Sequence, residues 1–150
     1  MRAIAQRVLE ASVSIDGECV AQIAHGLLVL LGVEDGDTQE DVDWLSGKIA
    51  KMRIFPDAEG KMNHSLIDAA GEIIIVSQFT LHASTKKGNR PSFLKSAVTA
   101  ISEPLYRAFC EAIEREIGKP AGRGIFGADM KVALINDGPV TIFIDSRARE

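Results

Sequence analysis

Apolar and polar residues alternate along the first fifteen positions, a pattern typical of a β-strand. Since side chains on a strand alternate between its faces, the odd positions are predicted to face the core. They are Ala3, Ala5, Arg7, Leu9, Ala11, Val13 and Ile15. Arg7 is the only charge on this face and needs a partner, because a buried unpaired charge is costly. One interpretation is structural: Arg7 forms an ion pair, or its side chain extends to the sheet edge. The other is that Arg7 anchors a neighbouring site or subunit.

Three more segments within the first eighty residues have the pattern of strands. Asp16-Gly17 is a hairpin turn signal, and it leads into a second strand around residues 18–24. Residues 27–33 are apolar throughout, as expected for a strand covered on both faces. Residues 73–79 predict the strongest strand, because they begin with four consecutive β-branched side chains.

Two segments have the spacing of amphipathic helices. Asp37 can cap the first, with Glu40 three residues on, and its apolar positions are Val42, Leu45, Ile49 and Met52. Ser102 can cap the second, which Gly118 ends. The stripe of the second helix is Leu105, Phe109, Ile113 and Ile117.

The last third predicts a strand over residues 128–134, a turn over residues 136–139 and a final strand over residues 140–145. Together the elements predict an α/β fold: one compact, β-rich domain over residues 1–150 with a mixed sheet and two main helices. One domain also fits the length of 150 residues.

Composition narrows the functional classes. The net charge of −4 argues against a protein that coats nucleic acid. Cys19 and Cys110 lie far apart, which indicates a reducing, cytoplasmic setting. No signal peptide or membrane span is predicted. The three histidines are scattered, so a tightly bound catalytic metal is not expected. No cofactor is expected either.

Three segments carry candidate chemistry. Ser77, Gln78, Phe79 and Thr80 close a buried strand, where ligands often bind. Thr80 and His82 are two apart and could share a face as nucleophile and base, although plain sheet termination explains the segment as well.

The other two segments are the turn at residues 136–139 and a loop with three cations. Backbone carbonyls exposed around Gly138-Pro139 could hold a ligand amine, and a cis bond is not the default there. Lys86, Lys87 and Arg90 could meet phosphates, or form an ordinary solvated loop.

Taken in order, seven segments resemble one family over nearly the whole chain. They are Q-R-V at 6–8, G-L-L-V-L-L-G-V at 26–33, R-I-F with D-A-E-G-K-M-N at 53–63, S-Q-F-T-L at 77–81, R-P-S-F at 90–93, F-G-A-D-M at 126–130 and N-D-G-P-V-T at 136–141. The family is the D-aminoacyl-tRNA deacylases. Arg123-Gly124 departs from it, since Thr-Gly usually stands there.

The resemblance implies that family's fold and an obligate homodimer with two sites at its interface. Each site would hold the 3′-terminal adenosine of a charged tRNA, and residues 77–80 would line the pocket for the aminoacyl ester. Gly138-Pro139 is similar to the family's Gly-cisPro motif, which the partner subunit contributes and whose carbonyls hold the α-ammonium. Arg7 matches an arginine near that motif, and Phe126 and Met130 match residues on the adenine side.

The expected reaction is hydrolysis of D-aminoacyl-tRNA in the cytoplasm. Neither a membrane nor DNA is expected as a partner. Ester hydrolysis needs a stabilised oxyanion, and backbone N–H donors at residues 77–80, aided by the substrate's ribose hydroxyl, would supply it without an acyl-enzyme. Backbone recognition would exclude L side chains but not glycine, so glycyl-tRNA mischarged on alanine tRNA is a second expected substrate. The alternatives are a non-catalytic module that binds tRNA ends and a metabolite-binding dimer. A net charge of −4 does not exclude a grip on the last nucleotide, with Lys86, Lys87 and Arg90 as local contacts.

Overall fold

A computed structural model describes residues 1–149 and has the mixed α/β fold predicted from the sequence. Its strands are β1 (Arg2–Ile15), β2 (Glu18–Ile23), β3 (Gly26–Gly32), β4 (Phe55–Pro56), β5 (Met62–His64), β6 (Glu72–Ser77), β7 (Gly122–Arg123) and β8 (Lys131–Asp145). Its helices are α1 (Gln39–Lys51), α2 (Thr99–Ile117) and a short 3-10 helix (Phe79–His82). No helix within residues 1–149 has the length and apolar character needed to cross a bilayer.

β1 organises the main sheet. It pairs antiparallel with β8 along one edge, and with β3 and then β2 along the other. β6 pairs in parallel with β3, and β7 in parallel with β6. The sheet curls until β2 also approaches β6 and β7. β4 and β5 form a separate two-stranded sheet.

The apolar runs of β3 and β6 are buried on both faces, as predicted. Val29 and Ile75 pack with both helices in one core. Leu28 and Ile74, on the opposite face, pack in a second core inside the curled sheet. The sheet thus separates a helical layer from an inner apolar layer, and the C-terminal ends of both strands lie at the same edge.

β1 does not keep the predicted alternation. Leu9 is 53 % exposed, whereas Val8 is fully buried in the second core. The pairing of β1 with β8 shifts register between Gln6 and Glu10. Such a bulge inserts a residue and moves the side chains after it to the other face of the strand. Ala11 and Val13, which follow the bulge, are therefore buried, whereas Leu9 is exposed.

Both helix starts differ from the predictions. Thr38 caps α1 in a capping box with Asp41, while the Asp37 carboxylate accepts hydrogen bonds from the Met1 ammonium at 2.7 Å and from the Glu34 N–H. α2 begins three residues before Ser102, whose hydroxyl donates back to the Val98 carbonyl at 3.1 Å. Serine and threonine compete for caps along such stretches, which makes exact starts hard to predict.

The two turn predictions had opposite outcomes. Asp16 and Gly17 both have positive φ (49° and 81°) between β1 and β2, which confirms the hairpin. Residues 136–139 do not separate two strands, because the backbone continues as the single strand β8 on both sides of a cis Gly138–Pro139 bond. β8 also starts at Lys131 rather than at residue 128, and β6 ends at Ser77 rather than at residue 79.

Candidate active site

A pocket of about 630 Å³ opens beyond the C-terminal end of β6. The 3-10 helix, the start of α2 and the segment before β8 surround it. Five predicted site residues line the pocket: Ser77, Gln78, Phe79, Phe126 and Met130. The pocket is also lined by Phe93, which lies in the R-P-S-F segment, and by Ser96 and Tyr106, which no sequence motif indicates.

The 3-10 helix presents two backbone donors beside this pocket. Gln78 anchors its start, since the Gln78 N–H donates to the Leu31 carbonyl at 2.7 Å and the Gln78 carbonyl accepts from Leu81. The first N–H groups of any helix have no partner within it. Accordingly, no hydrogen bond within residues 1–149 uses the N–H groups of Phe79 and Thr80. They are available to a negatively charged oxygen.

Ser96 fixes the direction of one of these donors. Its Oγ donates to the Phe79 carbonyl at 2.8 Å. That carbonyl belongs to the same planar peptide unit as the Thr80 N–H. The hydroxyl of Ser96 therefore holds the plane in which the Thr80 donor lies.

The structure does not bring Thr80 and His82 together as nucleophile and base. Thr80 is exposed and its Oγ accepts from Gln78 Nε2, while His82 is fully buried. The prediction assumed a strand, in which residues two apart share a face. On a 3-10 helix with three residues per turn they point in different directions.

Aromatic side chains form two walls of the pocket. The Phe79 ring meets the Phe93 ring edge-on at 5.1 Å, and Tyr106 lies 5.9 Å from Phe126. The Tyr106 hydroxyl donates to the Ile75 carbonyl at 2.8 Å, and burial raises the pKa of this phenol.

The wall that carries Met130 rests on Gly124. A Cβ at Gly124 would come within 2.6 Å of the Met130 sulfur, so the thioether packs where only glycine fits. Arg123, the point at which the sequence departs from the resemblance, pairs with Glu114 at 2.8 Å and does not line the pocket.

Arg7, Gly138 and Pro139 form a second cluster, which does not line this pocket. Arg7 is buried, with Nε 3.0 Å from the Asp137 carbonyl and 3.2 Å from its carboxylate. The Arg7 guanidinium also donates to the Ile54 carbonyl. Arg7 therefore forms a structural ion pair with Asp137. The same bonds hold the exposed Gly138 and Pro139, which follow Asp137, in place.

The two clusters lie at different levels of the sheet. Arg7 pairs with Leu27 of β3, whereas Ser77 pairs with Leu31 of the same strand. Four residues of strand separate them by about 13 Å along β3. Within one chain, the Gly138–Pro139 peptide thus stands apart from the pocket.

The three cations lie on an exposed loop after the 3-10 helix. Lys86, Lys87 and Arg90 are all exposed, and Ser84 and Ser92 close the loop with reciprocal backbone hydrogen bonds of 2.8 and 2.9 Å. None of the three lines the pocket. Within residues 1–149, no three His, Cys, Asp or Glu side chains cluster as metal ligands.

Comparisons with known proteins agree on one family. The family model described as D-Tyr-tRNA(Tyr) deacylase matches residues 4–145. Proteins named D-aminoacyl-tRNA deacylase from Parabacteroides distasonis and Flavobacterium johnsoniae are 60% and 61% identical to the chain over 150 residues, covering 100% of both sequences.

Two solved structures share the fold. A c-Myc DNA unwinding element binding protein is 40% identical with a TM-score of 0.91, covering 97% of this chain and 98% of that one. A probable eukaryotic D-amino acid tRNA deacylase has a TM-score of 0.81 at 18% identity, covering 95% of this chain and 97% of that one, and shows the fold alone.

Proposed function

The chain belongs to the D-Tyr-tRNA(Tyr) deacylase family, and from that membership we propose that it hydrolyses the ester bond of D-aminoacyl-tRNA. The products are a free D-amino acid and tRNA. Residues 1–150 act as one deacylase domain, in the cytoplasm, where charged tRNA is used.

The observation that carries this proposal is the pair of free N–H groups at the end of β6. Attack on an ester carbonyl puts negative charge on its oxygen, and preorganised donors stabilise that charge. The N–H groups of Phe79 and Thr80 have no acceptor within residues 1–149 and lie beside the pocket. Removing one such donor typically costs about 10²–10³-fold in rate, so two are a strong source of catalysis.

The nucleophile in this proposal is water, and no acyl-enzyme forms. Thr80 is exposed and accepts a hydrogen bond from Gln78, and within residues 1–149 no histidine or carboxylate is hydrogen-bonded to its hydroxyl. Ser77 and Gln78 position the ester, the Phe79 and Thr80 peptides hold the oxyanion, and the substrate's ribose hydroxyl assists the proton transfer. Cofactors play no part.

A second copy of the chain completes the site. Gly138 and Pro139 are exposed, yet they do not line the pocket of their own chain. In a homodimer they enter the partner's pocket, where their carbonyls accept hydrogen bonds from the α-ammonium of the amino acid. Arg7 supports them, because it binds the backbone and the carboxylate of Asp137.

Chiral selectivity follows from which groups of the substrate the backbone holds. With the ammonium and the ester fixed by backbone groups, an L side chain points into protein and a D side chain points away from it. Glycine has no side chain to exclude, so glycyl-tRNA mischarged on alanine tRNA is also cleaved.

The terminal adenosine occupies the Phe126 and Met130 side of the pocket, where the walls are apolar. Lys86, Lys87 and Arg90 contact the phosphates of the tRNA end, because their exposed loop follows the 3-10 helix directly. This local grip agrees with a net charge of −4, which does not favour binding along the body of an RNA.

The test is deacylation of matched D- and L-tyrosyl-tRNA by the purified protein. Rapid release from the D form and little from the L form is expected. Equal rates on the two substrates would contradict a chiral function. Tight binding to tRNA ends without turnover would show that the protein is a binding module and not an enzyme.

A further inference from the structure

His82 is the one residue within 1–149 whose buried side-chain nitrogens have no hydrogen-bond partner. Both ring nitrogens are affected, and the side chain is fully buried. Buried polar atoms are nearly always satisfied, so an exception calls for an explanation. His82 also ends the same 3-10 helix that begins with Phe79 and Thr80.

The ring is enclosed by the start of β1 and the end of β3. A Cβ at Gly32 would lie 3.1 Å from His82 Nε2, so the ring packs directly on the β3 backbone. Arg2 of β1 donates to the Leu81 carbonyl at 3.1 Å, next to the ring in sequence. His82 is thus a buried side chain that attaches the C-terminal end of the 3-10 helix to the sheet.

The charges around the ring disfavour a second proton on it. Burial lowers the pKa of His82 most, and the cations of Arg2 and Met1 lower it further. The Gly32 backbone, which lies close to the ring without meeting the geometry of a hydrogen bond, and the Glu34 carboxylate raise the pKa without reversing the direction. Protonation is therefore easier wherever the ring can leave its site.

We propose that His82 is a positioning residue: its neutral ring holds the Phe79–His82 helix on the sheet, and protonation releases that helix together with its two N–H donors. The effect on turnover rests on the proposed function, because it assumes that these donors hold the oxyanion. The release of the helix does not. A helix that opens to expose His82 binds the proton more tightly than the closed one, so acid favours the open form.

The activity test compares pH profiles of kcat/KM on D-tyrosyl-tRNA from pH 8 down to pH 5. His82→Leu removes the titrating group and fills its place with an apolar side chain, and His64→Leu changes an exposed histidine on β5 as the matched control. Each protein is scaled to its own value at pH 8, so protonation of the substrate affects all three alike. Wild type and His64→Leu are expected to fall more steeply than His82→Leu, by up to about tenfold per pH unit for one proton. Superimposable wild-type and His82→Leu profiles would overturn the proposal.

A second measurement needs no turnover and no variant. The chain has three histidines, so NMR can follow the ring of His82, and amide exchange can follow Leu81 and Ala83, which donate within the turn to Gln78 and Thr80. Protection of both amides should fall with the titration of His82, after correction for intrinsic exchange. Protection that stays constant through that titration contradicts the inference, even if His82→Leu fails to fold. A wild type without D-specific activity at pH 8 would instead refute the proposed function and leave this measurement decisive.

Discussion

The two halves of the proposed site differ in how their polar groups are satisfied. Around Gly138 and Pro139, Arg7 binds Asp137 and Ile54, and the Asn136 side chain accepts from the Val140 N–H at 2.7 Å. On the 3-10 helix, by contrast, two backbone donors and the ring of His82 have no partner within residues 1–149. The Gly138–Pro139 half is held by hydrogen bonds within its own chain, whereas the 3-10 helix has hydrogen-bonding groups that are still unused.

This difference suggests a division of work. A segment that is to enter another subunit has to keep its shape without a ligand, and satisfied hydrogen bonds provide that. A pocket that is to stabilise a transient charge has to keep donors unused until the charge develops.

Arg7→Met should cause the largest loss. It removes the ion pair with Asp137 and two hydrogen bonds to carbonyls, so residues 136–139 lose their support. A displacement of about 1 Å in a positioning group can cost roughly 10²-fold, which is the fall expected in kcat/KM on D-tyrosyl-tRNA.

The matched control for Arg7→Met is Arg107→Met, which removes an exposed i,i+4 pair with Glu103 on α2. Exposed pairs contribute little, so its activity should equal that of the wild type. Equal losses in both variants would show that Arg7 has no special link to the site.

Ser96→Ala tests the other half with a smaller change. The variant loses the hydrogen bond that orients the Phe79 peptide, worth about 1 kcal/mol. A five- to tenfold fall in kcat with little change in KM is expected at roughly that energy.

Ser14→Ala, half-buried near the end of β1, is the control for Ser96→Ala and should not change kcat. If Ser96→Ala raised KM alone, Ser96 would belong to substrate binding and the donors would not depend on it.

Alkaline pH should act on stability through the pocket wall. Burial raises the pKa of Tyr106, so the unfolded chain loses its phenolic proton first. Unfolding free energy is then unaffected by this group below the unfolded pKa of about 10 and declines above it. As Tyr106 is the only tyrosine, tyrosinate absorbance should appear together with unfolding. Ionisation of the intact fold near pH 10 would contradict the buried hydrogen bond to Ile75.

Thr80→Ala should have the smallest effect. Its hydroxyl is exposed, and the backbone N–H assigned to catalysis survives the change. Single-turnover deacylation within about threefold of the wild type is expected, because only a neutral hydrogen bond with Gln78 is lost. Complete loss in a folded variant would restore Thr80 as a nucleophile.

The sequence predicted most of the fold because local signals were strong. The apolar runs of β3 and β6 and the Gly118 end of α2, with its φ of 70°, needed no tertiary information. The face of Leu9 could not be predicted, since the bulge in β1 follows from its pairing with β8. The single strand β8 was missed for a similar reason: residues 136–139 have turn composition, but β1 pairs with Asn136 and again with Thr141.

The site was predicted less completely. Contiguous motifs identified Ser77, Gln78 and Phe79 at the end of β6, together with Phe126 and Met130. Ser96 and Tyr106 come from segments with no polar motif, and only the packing of α2 against the sheet places them at the pocket. From the sequence, His82 is considered only as a base that shares a face with Thr80, and its burial becomes evident only once the 3-10 helix is known.

The most direct test of a site shared between two copies is subunit complementation between two variants that are each strongly impaired alone. Ala128→Trp fills the pocket from its lining, and Arg7→Met disables the Gly138–Pro139 half. If each site takes its pocket from one chain and Gly138–Pro139 from the other, a mixed dimer contains one intact site. Mixing the two variants under conditions of subunit exchange should then restore about one quarter of wild-type activity, because half the dimers are mixed and each has one working site. Mixtures that exchange subunits but stay as inactive as the separate variants would contradict a site shared between two copies.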